Sequence, residues 1–238
     1  AGSTDLGMVD CEVEAPDMLG SEAASVVQRI AITHFGNDFG MVFRERRNAY
    51  DDLWVRVYRD TPSGIEAGTD YAITTDSAGM SVSSVSRDPA LVATASGYVA
   101  AWNDSRDGVG FEMWTRALDG DGVPSMTLQR LTTSTGAAAH PALTRASDGT
   151  LLAGYVHDNT TMGATREAFV STLASAGTLS GSWTRVSSAD ELASQLGLVP
   201  GQTSGFLSGW IDEAGAVRVR QVTLAGAPTG STVTHGPS

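Results

Sequence analysis

The residues with the most chemical capacity in this chain stand at two recurring places. Glu45, Asp104, His157 and Asp212 each lie two residues after an aromatic side chain, in "FRE", "WND", "YVH" and "WID". Gln28, Asp88, His140 and Gln195 open short apolar runs upstream of those aromatics: "QRIAIT", "DPALVATA", "HPALTRA" and "QLGLVPG". Carboxylates and imidazoles brought together are the groups that move protons in catalysis. Two carboxylates about 5–5.5 Å or 6.5–9.5 Å apart are what retaining or inverting glycoside hydrolysis requires. Beside amides and aromatic rings, the same groups also hold sugar hydroxyls without reacting. Asn48, Tyr50, Asn103, Arg106 and Asn159 are the candidates for that role, in "RERRNAYDDL", "NDSRDGVG" and "VHDNTTMGATRE". A structural role competes in the same stretches, because Asp and Asn in turns accept hydrogen bonds from nearby backbone N–H groups. "NDSRDG" has that form. His157 breaks the acidic pattern of Glu45, Asp104 and Asp212, and His140 stands where another unit has Asp88, which makes their part of the chain the first place to look for a site.

Other chemistries fit less well. The four His residues have no zinc-type spacing. Asp119-Gly120-Asp121-Gly122 resembles part of a calcium loop without its later acidic ligand. The matching turns "ASAG" and "AGAP" have lost both acids, so the turn reads as structural. No cofactor is expected, with calcium left open. Cys11, the one cysteine, can make no intrachain disulfide, and acidic "VDCEVE" disfavours a thiolate. A phosphate-binding loop needs a Lys, and all 15 basic residues are Arg. No nucleophile elbow is present. A net charge of −12 without a basic stripe argues against nucleic acid and against an anionic membrane surface. No stretch approaches the roughly 20 apolar residues of a membrane span. No export signal opens the chain, and the expectation is a processed protein that is secreted, periplasmic or on the cell surface.

The elements that would position these residues repeat. Phe43, Trp102, Tyr155 and Trp210 fall in register, 59, 53 and 55 residues apart. Each follows a short apolar run and precedes a third strand ("LWVRVY", "FEMWTRAL", "REAFVSTL", "VRVRQVTL"), a Gly-containing turn and a last short strand. Four antiparallel strands per unit at this period predict an all-β fold, a β-propeller of four-stranded antiparallel blades. The expected blades are 28–77, 88–134, 140–188 and 195–236 within a propeller of 28–238. Residues 1–27 form an acidic arm or a ring-closing strand. Four blades is the simplest count, and five, or part of a larger ring, stay open. The aromatics are expected to pack between blades. One helix is expected, over "SADELASQLG", with Ser188 or Asp190 as its N-cap.

"DPALVATASGYVAAWNDSRDGVGFEMWTRALDGDGVP" resembles the repeats of secreted bacterial β-propellers of the broad sialidase-like group. The resemblance is strongest over 88–124, fair over 140–179 and weak in the first and last units. It implies the fold and export. It does not extend to sialidase activity, since no Asp-box and no assignable arginine triad accompany it.

In a propeller the start of strand one and the end of strand two open on the same face of the disc, so both polar sets are expected around one mouth. The leading expectation is a non-catalytic, lectin-like extracellular module binding carbohydrate or a surface protein through this face. The alternatives are a glycoside hydrolase or lyase using paired mouth carboxylates, and a structural or assembly protein. A homo-oligomer is left open.

Overall fold

A strand with large apolar side chains at every second position buries one face and needs cover there. "LWVRVY" does this: Leu53, Val55 and Val57 are buried, while Trp54, Arg56 and Tyr58 lie partly exposed on the other face. The computed structural model describes residues 28–47, 50–75, 86–108, 110–133, 136–159, 165–188, 191–201 and 205–236. Its strands form four antiparallel sheets, each in sequential order. Blade 1 comprises β1 (Gln28–Phe35), β2 (Asp38–Arg47), β3 (Tyr50–Thr61) and β4 (Gly64–Ala67), with β5 (Tyr71–Ala72) also paired to β3. Blade 2 has β6 (Ser86–Ala93), β7 (Gly97–Asp104), β8 (Glu112–Asp119) and β9 (Gln129–Arg130). Blade 3 has β10 (Ala137–Arg145), β11 (Leu151–Asn159), β12 (Thr165–Leu173) and β13 (Thr184–Arg185). Blade 4 has β14 (Gln195–Pro200), β15 (Phe206–Ile211), β16 (Val217–Val222) and β17 (Pro228–His235). The fold is an all-β propeller of four blades, with β1, β6, β10 and β14 innermost.

Three apolar clusters glue the blades together. Trp102 and Tyr98 of blade 2 pack with Val55, Val57 and Ile73 of blade 1. Tyr155 of blade 3 packs with Val99 and Met113 of blade 2. Trp210 and Phe206 of blade 4 pack with Val156 and Val170 of blade 3. The second-strand aromatics of blades 2, 3 and 4 thus face the preceding blade, and burying one such side chain contributes roughly 1.5–3 kcal/mol. Phe43 holds the matching place on blade 1 and is buried, but it belongs to none of the three clusters. Among the described residues blades 4 and 1 share no such cluster. On the faces turned that way, Ile30, Ile32 and Phe39 of blade 1 and Val199, Val217 and Val233 of blade 4 are exposed.

Gly97 shows how tightly the hairpins close. Its φ is 146°, and a Cβ there would lie 2.3 Å from the Leu118 carbonyl oxygen. The turn after β8 is held by Asp119, whose Oδ1 accepts the N–H groups of Asp121 and Val123, both at 2.9 Å.

The expected helix at 188–197 is corrected. The described residues contain no helix, and so none long and apolar enough to cross a membrane. Ala193 is buried in the cluster between blades 3 and 4, and its N–H donates to Arg166 O at 2.9 Å. Ser194 N–H donates to Ile211 O at 2.8 Å. Tertiary partners take these backbone groups in place of a helical ladder, overriding a weak local propensity. Residues 1–27, with Cys11, and Asn48 lie outside the described residues.

Candidate site at the propeller axis

The innermost strands are regular except at one residue in each of three blades. Arg29, Asp88 and His140 have φ of 50°, 45° and 50°. L-residues avoid this region at a cost of roughly 1–2 kcal/mol each. The pairing register slips at each of them, between Gln28 and Ile30, Arg87 and Ala90, and Ala139 and Ala142. In blades 2 and 3 the local cause is the following residue: Pro89 and Pro141 have no N–H to give the ladder. Ile30 occupies that position in blade 1 without the same reason. Gln195 of blade 4 pairs in regular register with Ile211. A bulge of this kind re-aims the side chain it carries.

The three strained side chains meet. They line one end of the axis with Gln195 and with the residue following each, Ile30, Pro89, Pro141 and Leu196. The depression is open and has a volume of about 380 Å³. The Arg29 guanidinium pairs with the Asp88 carboxylate, and His140 Nδ1 stands 3.8 Å from the second carboxylate oxygen. The Asp88 side chain is 14% exposed and that of Arg29 58%, so the anion sits at the floor and the cation at the rim. Asp88 Oδ1, the oxygen that meets the Arg29 guanidinium, is buried. Polar groups flanked by proline and aliphatic faces can hold hydroxyls on one side and a C–H surface on the other.

The second-strand set does not line this mouth. Asp104 is buried and accepts from Trp102 Nε1 at 3.2 Å, from Arg106 N–H at 2.8 Å and from Arg106 Nε at 3.0 Å. Arg106 also donates to Thr74 O at 3.0 Å, tying blade 2 to blade 1. Asp212 repeats the device: it accepts from Ala216 N–H and from Arg218 Nε, both at 2.8 Å. The Arg218 guanidinium, with the Ala216 N–H, holds the Asp212 carboxyl below the usual carboxylate range. Glu45 is fully buried and partnered. Asn103 is buried at the end of β7, with Oδ1 unbonded. His157 sits half-buried against Tyr155 and Phe169, at ring separations of 6.4 and 6.1 Å, with a buried, unbonded Nε2. The physical reason is the strand period. Residues two apart share a face, so an aromatic packed between blades takes its acid there with it. Tyr50 opens β3 and Asn159 ends β11; their side chains lie outside the described residues.

Of the first-strand set, Asp88, His140 and Gln195 do meet at the axis, and Arg29 rather than Gln28 completes the group. The signal for Arg29 is legible in retrospect. "RIA", "DPA" and "HPA" align on their alanines, placing Arg29 with Asp88 and His140. Among the described residues no group of three or more His, Cys, Asp or Glu is placed to hold a metal ion.

The sequence matches no protein-family model and no curated protein. Solved structures do match. An α-L-arabinanase from Penicillium chrysogenum, complexed with arabinobiose, superposes with a TM-score of 0.62 at 12% identity, over 84% of this chain and 63% of its own. A GH43_1 enzyme from Xanthomonas citri, complexed with xylose, gives 0.58 at 11% identity, over 88% and 73%. A GH43 β-xylosidase/α-arabinofuranosidase from a compost microbial metagenome, in complex with xylotriose, gives 0.60 at 8% identity, over 88% and 77%. The chain thus spans under two thirds of the arabinanase and about three quarters of the other two. At these identities the likeness is one of fold: the chain shares the β-propeller architecture of carbohydrate-active enzymes, and its sequence resemblance to the sialidase-like group goes no further than that architecture.

Proposed function

We propose that this protein is a carbohydrate-directed propeller, acting outside the cytoplasm, that takes a short sugar segment into the axial depression. The observation that carries the reading is the convergence there of Arg29, Asp88 and His140, the three non-glycine residues with positive φ among the described residues. Strain of this kind costs stability and collects at ligand sites. Asp88 would accept hydrogen bonds from adjacent hydroxyls, Arg29 and His140 would donate to ring and hydroxyl oxygens, and Pro89 and Pro141 would pack on the C–H face. Binding without turnover is the primary reading, because Asp88 is the one carboxylate among the described lining residues and glycoside hydrolysis uses two. Hydrolysis is the second reading. Its support is the fold shared with enzymes that are named for it, and it needs a second acid from elsewhere.

The test is calorimetric titration with xylotriose, arabinobiose and a wider polysaccharide panel, with and without calcium, alongside an assay for released reducing ends. Asn tolerates the left-handed region, so Asp88→Asn keeps the fold. Losing a charged hydrogen bond of about 1.5–3 kcal/mol weakens binding tenfold or more. A panel without any saturable ligand would overturn the reading. Reducing-end release abolished by Asp88→Asn would put hydrolysis first.

A further inference from the structure

The opposite end of the axis holds a second and larger depression, open and about 600 Å³ in volume. It forms where the four inner strands end: Thr33 and His34 of β1, Leu91 to Ala93 of β6, Leu143 to Arg145 of β10, and Pro200 with Gly201 at the close of β14. Arg145 is unlike the other arginines whose side chains are described. Every other arginine whose side chain is described has a carboxylate, a backbone carbonyl or another partner. Among the described residues Arg145 has none, in a protein of net charge −12. Its nearest acid in sequence, Asp148, is occupied otherwise: Oδ1 accepts the Thr150 N–H at 2.9 Å, and that bond holds the carboxyl below its ordinary range. The guanidinium lies over Gly149, with Nη2 3.5 Å from where a Cβ would stand, so the missing side chain leaves it room.

We propose that this depression binds a hexuronate, an acidic sugar whose carboxylate pairs with Arg145. A guanidinium fork matches a carboxylate bidentately and is less strongly hydrated than an ammonium, so it suits a partly enclosed site. Thr33, Ser147 and His34 supply partners for ring hydroxyls, and Leu143 and Pro200 supply an apolar wall for the ring. This site is separate from the Asp88 mouth and does not depend on what binds there.

The experiment titrates the full chain with D-galacturonate, D-glucuronate and their short oligomers, with galactose and succinate as controls. The uronates are expected to bind at least tenfold more tightly than either control. Arg145→Gln is expected to erase that preference, Arg145→Lys to keep part of it, and Asp88→Asn to leave it unchanged. Should Arg145→Gln misfold, the native chain still decides the matter. Uronate, but not galactose, is expected to protect Arg145 from an arginine-specific dicarbonyl, read by peptide mass mapping. Equal binding of uronate and galactose, equal binding of succinate, or unaltered Arg145 modification would overturn the proposal. So would an effect of Asp88→Asn as large as that of Arg145→Gln.

Discussion

Replacing Asp104 with alanine separates a structural carboxylate from a ligand-binding one. The carboxylate is 1% exposed and answers three donors: Trp102 Nε1, the Arg106 N–H and the Arg106 guanidinium. Arg106 is itself 8% exposed and lies 4.8 Å over the Trp114 ring, so it has little water to turn to. Stripping one partner from a buried ion pair costs about 3–5 kcal/mol. An orphaned buried donor adds about 1–3 kcal/mol, not additively, since Arg106 keeps its bond to Thr74 O. Asp104→Ala should therefore lose about 4 kcal/mol, a large share of the 5–15 kcal/mol typical of a domain. Asp104→Asn keeps an acceptor for the backbone N–H and should lose about half as much. Urea unfolding followed by tryptophan fluorescence measures both. A double-mutant cycle with Arg106→Ala should return a coupling of at least about 1 kcal/mol. Sugar binding by whatever fraction stays folded should match the native chain. If Asp104→Ala were to lose under 1 kcal/mol while abolishing sugar binding, Asp104 would belong to the mouth after all and the strand-face reasoning would fail.

The other predictions concern packing, charge and backbone. Trp102→Ala, in the cluster between blades 1 and 2, should cost about 3–5 kcal/mol. Ile32→Thr, on the exposed face of blade 1, should stay within about 0.5 kcal/mol; a large loss there would show that this face is covered. Burial, chiefly, raises the hydroxyls of Tyr98 and Tyr155 from 10.0 to about 12. Their contribution is complete below pH 10 and is lost as pH rises towards 12, so the urea midpoint should fall along an alkaline arm. Tyr98→Phe should flatten that arm at little cost near neutrality, because the Tyr98 hydroxyl has no hydrogen-bond partner. Asp212 works in the opposite sense. Its depressed pKa contributes stability above the ordinary 3.8 that is lost as pH falls through the folded value, and Asp212→Asn should remove that acid dependence. Gly97→Ala should cost well over about 1 kcal/mol, since φ of 146° and a contact of 2.3 Å with backbone both oppose a Cβ; a neutral result would show that the hairpin yields.

Local pattern was enough to read the blades. "LWVRVY" and "VRVRQV" alternate with period two, the aromatics recur at about the same interval, and turn residues separate the runs, so strand identity and order follow from chemistry within a few residues. The same periodicity already placed Asp104 and Asp212 on the side of their tryptophans. It could not say that this side is the seam between blades and not the mouth, because that depends on contacts with the next unit, some fifty residues away. The axial group was legible only in part for a related reason. Asp88 and His140 were visible as polar starts of apolar runs, but the bulges that turn them inward slip the register by a residue, and a reading of matched positions took Gln28 where Arg29 belongs. The helix expected over 188–197 rests on a weak local propensity, and contacts to Arg166 and Ile211 override it. Sequence by itself determined what each unit is, since alternation and turn chemistry act over a few neighbouring residues. Tertiary structure alone decided which acids are tied up between blades, which three strained residues meet on the axis, and that Arg145 has no counter-charge among the described residues, because each of these depends on groups that only folding brings together.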